Sequence, residues 1–395
     1  MGLPGQMKED LMRAIPLPFR SGVKDYDRQA AELLEAWRTG DGDAVRLIRH
    51  NHPRFLDEHI PWLPKRLSDS EVRSATLAPD DARLAIARWY SFESWARLVE
   101  WAEAVARQDS PVSRFESAVE AVINGDVAAL QRLLREHPEL VRQRSTIVTH
   151  HDPPVHGATL LHYIAANGVE GHRQKTPKNA VEIAKVLLGA GAEVDALAGM
   201  YGGECTTMSM LVSSSPPAEA GVQLALVDVL LDHGAAVEGR GSGEWTSPLM
   251  TALAFGFGSA AEALVRRGAR VDTIAAAAGL GRLAETGRLL AAAGGEERHR
   301  ALALAAQHGH VEIVRLLLDA GEDPNRYNPK GNHGHSTPLH QAVGAGHDAV
   351  VRLLVERGAR LDITDTIYEG TPLGWAEYGG REEIAAYLRA RSARH

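Results

Sequence analysis

The stretch AAQHGHVEIVRLLLDAG occupies residues 305–321, and a related stretch, TPLHQAVGAGHDAVVRLLVERGA, occupies residues 337–359. A third copy begins at Thr371, 34 positions after Thr337. A repeat of this length indicates one small structural unit that stacks on copies of itself, because a single unit cannot bury its apolar face. The sequence therefore predicts a repeat protein.

Each copy has the residues of two short helices joined by a turn. Thr337 stands where an N-cap hydroxyl accepts a backbone N–H, and Pro338 suits the first helical position, where no donor is required. Gly346 ends the first helix, and the apolar residues of segment 350–354 have the spacing of a buried stripe on the second. Gly358 then ends the second helix. The pattern predicts a helix-turn-helix unit.

These units resemble the ankyrin repeat, which has a period of about 33 residues and a Thr-Pro-Leu-His opening. Related units occupy residues 115–142, 159–195, 206–238, 247–272, 274–294, 300–325, 337–362 and 371–388. The resemblance covers residues 113–395 and, less closely, residues 27–57. It implies an all-α ankyrin-repeat solenoid of about eight helix-turn-helix units with hairpin finger loops between them.

Residues 1–112 differ in composition from the remainder, since they hold five of the seven Trp but only five of the 38 Gly. Helical patterns begin at Pro79 and Ser94, and Ser110-Pro111 marks a boundary. This segment is similar to a short helical pair that precedes ankyrin arrays in bacterial proteins. We predict a helical N-terminal capping region with a degenerate ankyrin-like unit at 1–112 and the solenoid at 113–395.

Composition excludes several classes of protein. The single cysteine, Cys205, cannot form an internal disulfide, and no apolar run has the roughly 18 residues of a membrane span. The net charge is −8, and the sequence has no block of like charges, so it predicts no basic surface for nucleic acid. The sequence predicts a cytoplasmic protein that binds neither nucleic acid nor membrane.

The finger loops carry the candidate site residues, because binding residues concentrate on loops held by a rigid scaffold. Alignment of the units places Gly157, Glu204, Trp245, His335 and Glu369 in one column, and His156, Gly203, Glu244, Gly334 and Tyr368 in the column before it. We predict ligand or partner contacts from Tyr201, Glu204, Glu244, Trp245, His335, Tyr368 and Glu369. Units 274–294 and 300–325 lack the Thr-Pro-Leu opening, so we expect them to interrupt the row of fingers.

An insertion distinguishes the unit that opens at Thr159. Thirteen residues separate Gly168 from Glu182, where the resemblance implies about two. Arg173 and the nearby lysines, Lys175 and Lys178, could bind an anion, but the pattern favours a solvated charged loop.

Histidines divide into two groups. The resemblance implies a structural hydrogen-bonding role for His162 and His340, while His308, His310 and His347 lie at ordinary turns between helices. No scaffold role is predicted for His150, His151, His156, His172, His333 and His335, and histidine is both a metal ligand and an acid or base near neutral pH.

Two classes of function remain. The resemblance implies a binding protein that recognises a partner, most simply another protein, through the concave face and finger loops. The alternative is a small-molecule site or a cofactor-independent acid/base enzyme, a hydrolase, isomerase or cyclase, in the groove. Its candidate catalytic residues are His156, Glu204, His335 and Glu369. A metal variant would use His333, His335 and His156, but the sequence has no strict ligand motif, so we predict no metal and no cofactor.

Overall fold

The computed structural model describes residues 16–166, 168–200, 202–243 and 246–393. The chain forms two compact units, the first comprising Met1–Ala235 with Arg240–Gly243 and the second Ala236–Gly239 with Glu244–His395. The sequence boundary at residue 112 lies within the first unit, inside the helix Pro111–Asn124, and the predicted division there stays a prediction.

The described residues of the first unit form helices and one short hairpin, joined by loops. Its α-helices are α1 (Val23–Thr39), α2 (Gly42–Asn51), α3 (Asp69–Arg73), α4 (Pro79–Trp89), α5 (Trp95–Ala106), α6 (Pro111–Asn124), α7 (Val127–Glu136), α8 (Ala180–Gly189), α9 (Thr207–Leu211), α10 (Ser215–Glu219) and α11 (Gln223–Asp232). Short 3-10 helices occupy Pro53–Phe55, Pro138–Val141, Leu160–Ala165 and Gly171–Arg173. Strands β1 (Ala198–Met200) and β2 (Gly203–Cys205) pair antiparallel, with Met200 opposite Gly203.

The second unit contains five consecutive helix pairs. They are α12 (Pro248–Ala254) with α13 (Gly258–Arg266), α14 (Ile274–Gly279) with α15 (Leu283–Leu290), α16 (Gly295–Gln307) with α17 (Val311–Asp319), α18 (Pro338–Ala345) with α19 (Asp348–Glu356), and α20 (Pro372–Tyr378) with α21 (Glu382–Ser392). The first helices of successive pairs pack side by side in the order α12, α14, α16, α18 and α20. Within each unit this architecture confirms the predicted all-α fold of helix-turn-helix repeats.

The repeat opening is stabilised by histidine rather than by threonine alone. The hydroxyl of Thr337 lies 2.8 Å from Nδ1 of His340, and the backbone N–H of Thr337 donates to the same nitrogen at 3.3 Å. Nε2 of His340 lies 3.1 Å from the carbonyl oxygen of Gly370 in the next repeat. His340 therefore has the structural role implied by the resemblance, but the Thr337 side chain bonds the ring instead of capping a backbone N–H. Thr371 caps its helix in the predicted way, through the N–H of Gly374 at 3.1 Å.

The predicted helices of the N-terminal segment are confirmed at α4 and α5. The region of the predicted degenerate unit holds the helices α1 and α2, between which Gly40 adopts a left-handed φ of 79° and Asp41 caps the second helix. Its assignment to the repeat stays a prediction. The unit that opens at Thr159 differs from the others, because its first helix, Leu160–Ala165, is a 3-10 helix. Within the described ranges, no helix combines the length and the apolar character required to cross a membrane.

Candidate functional site

Two finger loops of the second unit lie side by side. The loop at 326–336 precedes α18 and the loop at 363–370 precedes α20. The backbone N–H of Thr366 donates to the carbonyl oxygen of His335 at 2.8 Å, and the hydroxyl of Tyr327 donates to the backbone carbonyl oxygen of Thr364 at 2.6 Å. These bonds join the two loops, so their outer side chains form one surface.

Asp365 holds the second of these loops in place. Its wholly buried carboxylate accepts the backbone N–H groups of Ile367 at 3.0 Å, Tyr368 at 2.6 Å and Gly370 at 2.8 Å. It also accepts the indole N–H of Trp375, from the following helix, at 2.9 Å. A carboxylate bonded to four donors within ten residues fixes the loop conformation.

Four aromatic rings lie on these loops and on α20, and we call His335, Tyr368, Trp375 and Tyr378 the aromatic finger surface. The His335 ring centre lies 6.3 Å from that of Tyr368 and 6.1 Å from that of Trp375. Burial, Asp365 and the neighbouring Tyr378 together raise the pKa of Tyr368 to about 12. Tyr368 is nevertheless 37% exposed and Tyr378 is 53% exposed, so two of the four rings are available for contact.

The two finger histidines have different environments. Nε2 of His333 lies 2.7 Å from the carbonyl oxygen of Ala254, and the residue adopts a left-handed φ of 56°. Nδ1 of His335 is buried and has no hydrogen-bond partner in the described part of the chain. Burial, reinforced by His333, lowers the pKa of His335 to about 4. His335 is therefore a neutral imidazole at physiological pH.

The contact of His333 with Ala254 corrects one expectation from the sequence. Ala254 ends α12, whereas the loop at 326–336 precedes α18, and α14 and α16 stand between these two helices in the stack. The loop therefore spans the two repeats that have no finger of their own. Gln307, at the end of α16, donates to the same carbonyl at 2.9 Å. The row of fingers is bridged at this point rather than interrupted.

In the first unit, His156 is buried and its ring lies against Glu170. Its side chain is 1% exposed, Nε2 lies 3.0 Å from Oε1 of Glu170, and Nδ1 accepts the backbone N–H of Ala158 at 3.1 Å. Glu170 also accepts the hydroxyl of Tyr163 at 2.6 Å. Although burial raises the pKa of Glu170, Arg173 and His156 hold it well below its usual value.

Arg173 joins this buried group, which overturns the interpretation of the insertion as a wholly solvated loop. The side chain is 2% exposed, with one nitrogen 2.8 Å from Glu170 and another 2.7 Å from Glu116 on α6. Burial raises the pKa of Glu116 against the opposing effect of Arg173. Lys175 and Lys178 are exposed, as that interpretation predicts. The one sequence signal for the cluster is the Glu170–Arg173 spacing of three residues.

Glu204 lies on β2, with an exposed side chain whose Oε2 is 3.5 Å from the hydroxyl of Ser242. His156 and Glu204 are neighbours through the backbone, since the carbonyl of His156 accepts the N–H of Gly199, which faces Glu204 in the hairpin. Their side chains differ in accessibility, one being buried and the other exposed. Glu369 is exposed in the second unit and adopts a left-handed φ of 54°.

Three predicted contact residues, Tyr201, Glu244 and Trp245, lie outside the described residues. Among the residues that are described, no three His, Cys, Asp or Glu side chains are grouped to hold a metal ion. The predicted site residues therefore stay predictions. Asp365 was missed from the sequence. The sequence pattern that could have indicated it is an aspartate a few residues before a glycine in a loop, where the carboxylate can accept backbone N–H groups as in an Asx turn.

Comparison with known proteins agrees with this architecture. The family pattern described as "Ankyrin repeats (3 copies)" matches residues 302–394, and that described as "Ankyrin repeat" matches residues 156–198. Cyclin-dependent kinase 4 inhibitor B of Rattus norvegicus is 34% identical over 118 residues, which cover 22% of this chain and 90% of the relative. Ankyrin repeat and SAM domain-containing protein 6 of Mus musculus is 37% identical over 98 residues, covering 25% of this chain but only 11% of that much longer relative.

Proposed function

Since this chain belongs to the ankyrin repeat family, we propose that it binds another protein through the aromatic finger surface of its second unit. Ankyrin repeats are a general protein–protein interaction module. The rat relative is named as an inhibitor of cyclin-dependent kinase 4, an action directed at another protein, and this supports a protein partner here.

The observation that carries the proposal is the rigid presentation of exposed rings. Tyr368 and Tyr378 are exposed to 37% and 53%. Tyr368 nevertheless lies within a loop that Asp365 holds by four hydrogen bonds. Aromatic side chains that are already ordered lose little conformational entropy on binding, and they dominate the energetics of many protein interfaces. Glu369, adjacent in the same loop, supplies a negative charge at the edge of the contact area.

A crosslinking experiment tests this surface directly. A photo-reactive phenylalanine analogue is placed at position 378 of the full-length chain, irradiated in extract of the native cells, and the crosslinked protein is identified. The same partner should be lost from pull-downs with Tyr368→Ala/Tyr378→Ala and retained by Trp62→Ala, which removes an aromatic ring of similar exposure, 43%, from the first unit. Retention of the partner by the double variant would remove the support for this surface.

The acid/base alternative receives less support from the described contacts. His335 is neutral, and the carboxylate of Asp365 acts on it electrostatically. That carboxylate already accepts hydrogen bonds from four N–H donors. The ring of His156 is buried, with Nδ1 bonded to the backbone N–H of Ala158 and Nε2 3.0 Å from Glu170. A cytoplasmic location stays a prediction from the single cysteine.

A further inference from the structure

A cleft of about 310 Å³ lies in the first unit, in the other half of the chain from the proposed partner surface. Segment 16–19 lines the cleft together with Tyr26, Tyr90 and Trp101. Phe19 contributes a fourth aromatic ring. Pockets for small molecules have volumes of about 300–1,000 Å³ and are lined mainly by apolar and aromatic side chains with a few polar groups.

Side-chain exposure alternates along segment 16–19, whose end lies in a turn closed by the N–H of Ser21 on the carbonyl of Pro18 at 3.0 Å. Leu17 and Phe19 are half-buried, whereas Pro16 and Pro18 are exposed. The backbone N–H of Leu17 donates to the hydroxyl of Tyr90 at 2.8 Å, which attaches the segment to α4 and its C-terminal cap. Leu17 and Phe19 are therefore the less exposed side chains of the segment, and all four of its residues contribute apolar atoms to the cleft.

Three basic side chains contact one face of α6. They contact its residues 117, 120 and 124, as follows. The guanidinium of Arg20 donates to the hydroxyl of Ser117 at 3.0 Å, and that of Arg173 lies 3.5 Å from the carboxylate of Glu120. The ammonium of Lys175 donates to the side-chain oxygen of Asn124 at 2.7 Å. Spacings of three and four residues place these positions on one side of the helix.

The charges in this row are compensated unequally. Arg173 faces the carboxylates of Glu116, Glu120 and Glu170, so it contributes no unpaired positive charge to the cleft. The hydrogen-bond partners of Arg20 and Lys175 in the described structure are a hydroxyl and an amide, both uncharged. Lys175 is exposed and lines the cleft. The cleft therefore has a positive charge at its mouth that no bonded carboxylate neutralises.

His172 completes the lining next to Tyr90, with ring centres 5.1 Å apart. Burial, with a further contribution from Arg173, lowers its pKa to about 3. The ring is therefore uncharged at physiological pH and acts as one more flat face. Within the cleft, Glu120 is the one acidic lining residue, and it is already bonded to Asn124 at 3.1 Å and close to Arg173.

We propose that this cleft binds a small planar aromatic anion, with its ring against Phe19 and Trp101 and its anionic group at the ammonium of Lys175. The aromatic lining supplies stacking and edge contacts for a flat ring, and the volume accommodates a ring system of indole size. The ammonium supplies a charge-assisted hydrogen bond to the anionic group. This site makes no use of the partner surface, so either proposal can fail without the other.

Three probes that share one ring separate charge from shape. Indole-3-acetate, indole-3-acetamide and tryptamine carry a negative charge, no charge and a positive charge, and each is titrated into the full-length protein by calorimetry and ligand-observed NMR. We expect the acetate to bind at least about fivefold more tightly than the amide, and tryptamine to bind most weakly. Equal or tighter binding of tryptamine, or no binding of the acetate up to about 10 mM, would overturn the proposal.

Variants assign the contacts. Lys175→Met should weaken indole-3-acetate about fivefold and leave the amide unchanged, because it removes charge from an exposed position. Lys178→Met, at an exposed lysine outside the lining, is the matched control and should change neither. Phe19→Ala should weaken the acetate and the amide by a similar factor. An unchanged affinity of Lys175→Met for the acetate would exclude Lys175 as the anion-binding group, whatever the effect of Phe19→Ala on stability.

Discussion

Nε2 of His333 lies 2.7 Å from the carbonyl oxygen of Ala254, a residue 79 positions earlier in the chain. Through this contact a finger loop that belongs to one repeat is attached to the end of the first helix of the second unit. The left-handed φ of 56° at His333 directs the ring towards that helix end. The loop that supports His335 is thus held at both its own repeat and a distant one.

The hydrogen bond of His333 can be removed without changing the backbone preference. His333→Asn keeps a residue that tolerates the left-handed region but is too short to reach Ala254. We expect the free energy of unfolding to fall by about 1 kcal/mol, because Gln307 still bonds the same carbonyl. Amide hydrogen exchange should accelerate across residues 326–336. His59→Asn, at a side chain 93% exposed, should change neither quantity.

The buried carboxylate of Asp365 should be essential to its loop. Asp365→Asn replaces one acceptor oxygen by a donor that faces N–H groups, and we expect a loss of about 2–3 kcal/mol in urea denaturation. Asp362→Asn is the matched control in the same unit, since its side chain is 71% exposed, and it should cost less than about 0.5 kcal/mol. Similar losses in both variants would mean that the four bonds to Asp365 do not stabilise the loop.

Arg173 balances two wholly buried carboxylates. Arg173→Met would leave Glu116 and Glu170 without their cation, and we expect a loss of about 3–5 kcal/mol in the free energy of unfolding. Arg132→Met makes the same substitution at an exposed position of α7 and should alter stability by less than about 0.5 kcal/mol. A small effect at Arg173 would show that the carboxylates become protonated at little cost.

The turn glycines differ in what surrounds them. Gly309 adopts φ 79°, and a Cβ there would lie 2.7 Å from Nδ1 of His347, whereas Gly321, at φ 92°, has no atom within 4 Å of that position. Gly321→Ala should therefore cost about 1–2 kcal/mol for backbone strain alone. Gly309→Ala should cost about 1 kcal/mol more, because the His347 ring must move away from the carbonyl of Gln307 at 3.0 Å. Thermal unfolding of the two variants compares them directly.

Acid should weaken the second unit in part through His335. Its pKa in the folded protein is about 4, below the ordinary value of 6.5, so the unfolded chain binds a proton more readily between these values. The contribution of the neutral ring to stability is complete above pH 6.5 and is lost as the pH falls towards 4. We expect His335→Gln to reduce the stability difference between pH 7 and pH 5 by about 1 kcal/mol, allowing for solvent screening. Urea titrations of both proteins at the two pH values measure it.

Much of the fold follows from short stretches of sequence. Pro338, Gly346 and Gly358 mark where helices begin and end, and the structure has α18 and α19 between them. The structural roles of His340 and of the turn histidine His347 also follow from their place in the repeat. These features are local, because each depends on residues within one repeat and its nearest neighbour.

The candidate site was only partly predictable. The sequence identifies Tyr368, Glu369 and His335 as finger residues, and the structure places the rings of His335 and Tyr368 on one surface. It does not indicate that Asp365 organises the loop, or that His156 turns inward to Glu170. A finger histidine has the same sequence context whether its ring faces solvent or the interior, and the direction depends on which side chains the next element brings near.

Local sequence patterns account for the helix pairs and their stacking, because caps, glycines and apolar spacing act over a few residues and repeat along the chain. The burial of Arg173 depends instead on the folded chain, since its partner Glu116 lies 57 positions earlier on α6. The same is true of the loop of His333, which passes two repeats to reach Ala254. Both outcomes depend on contacts between distant segments, whose energies no local pattern contains.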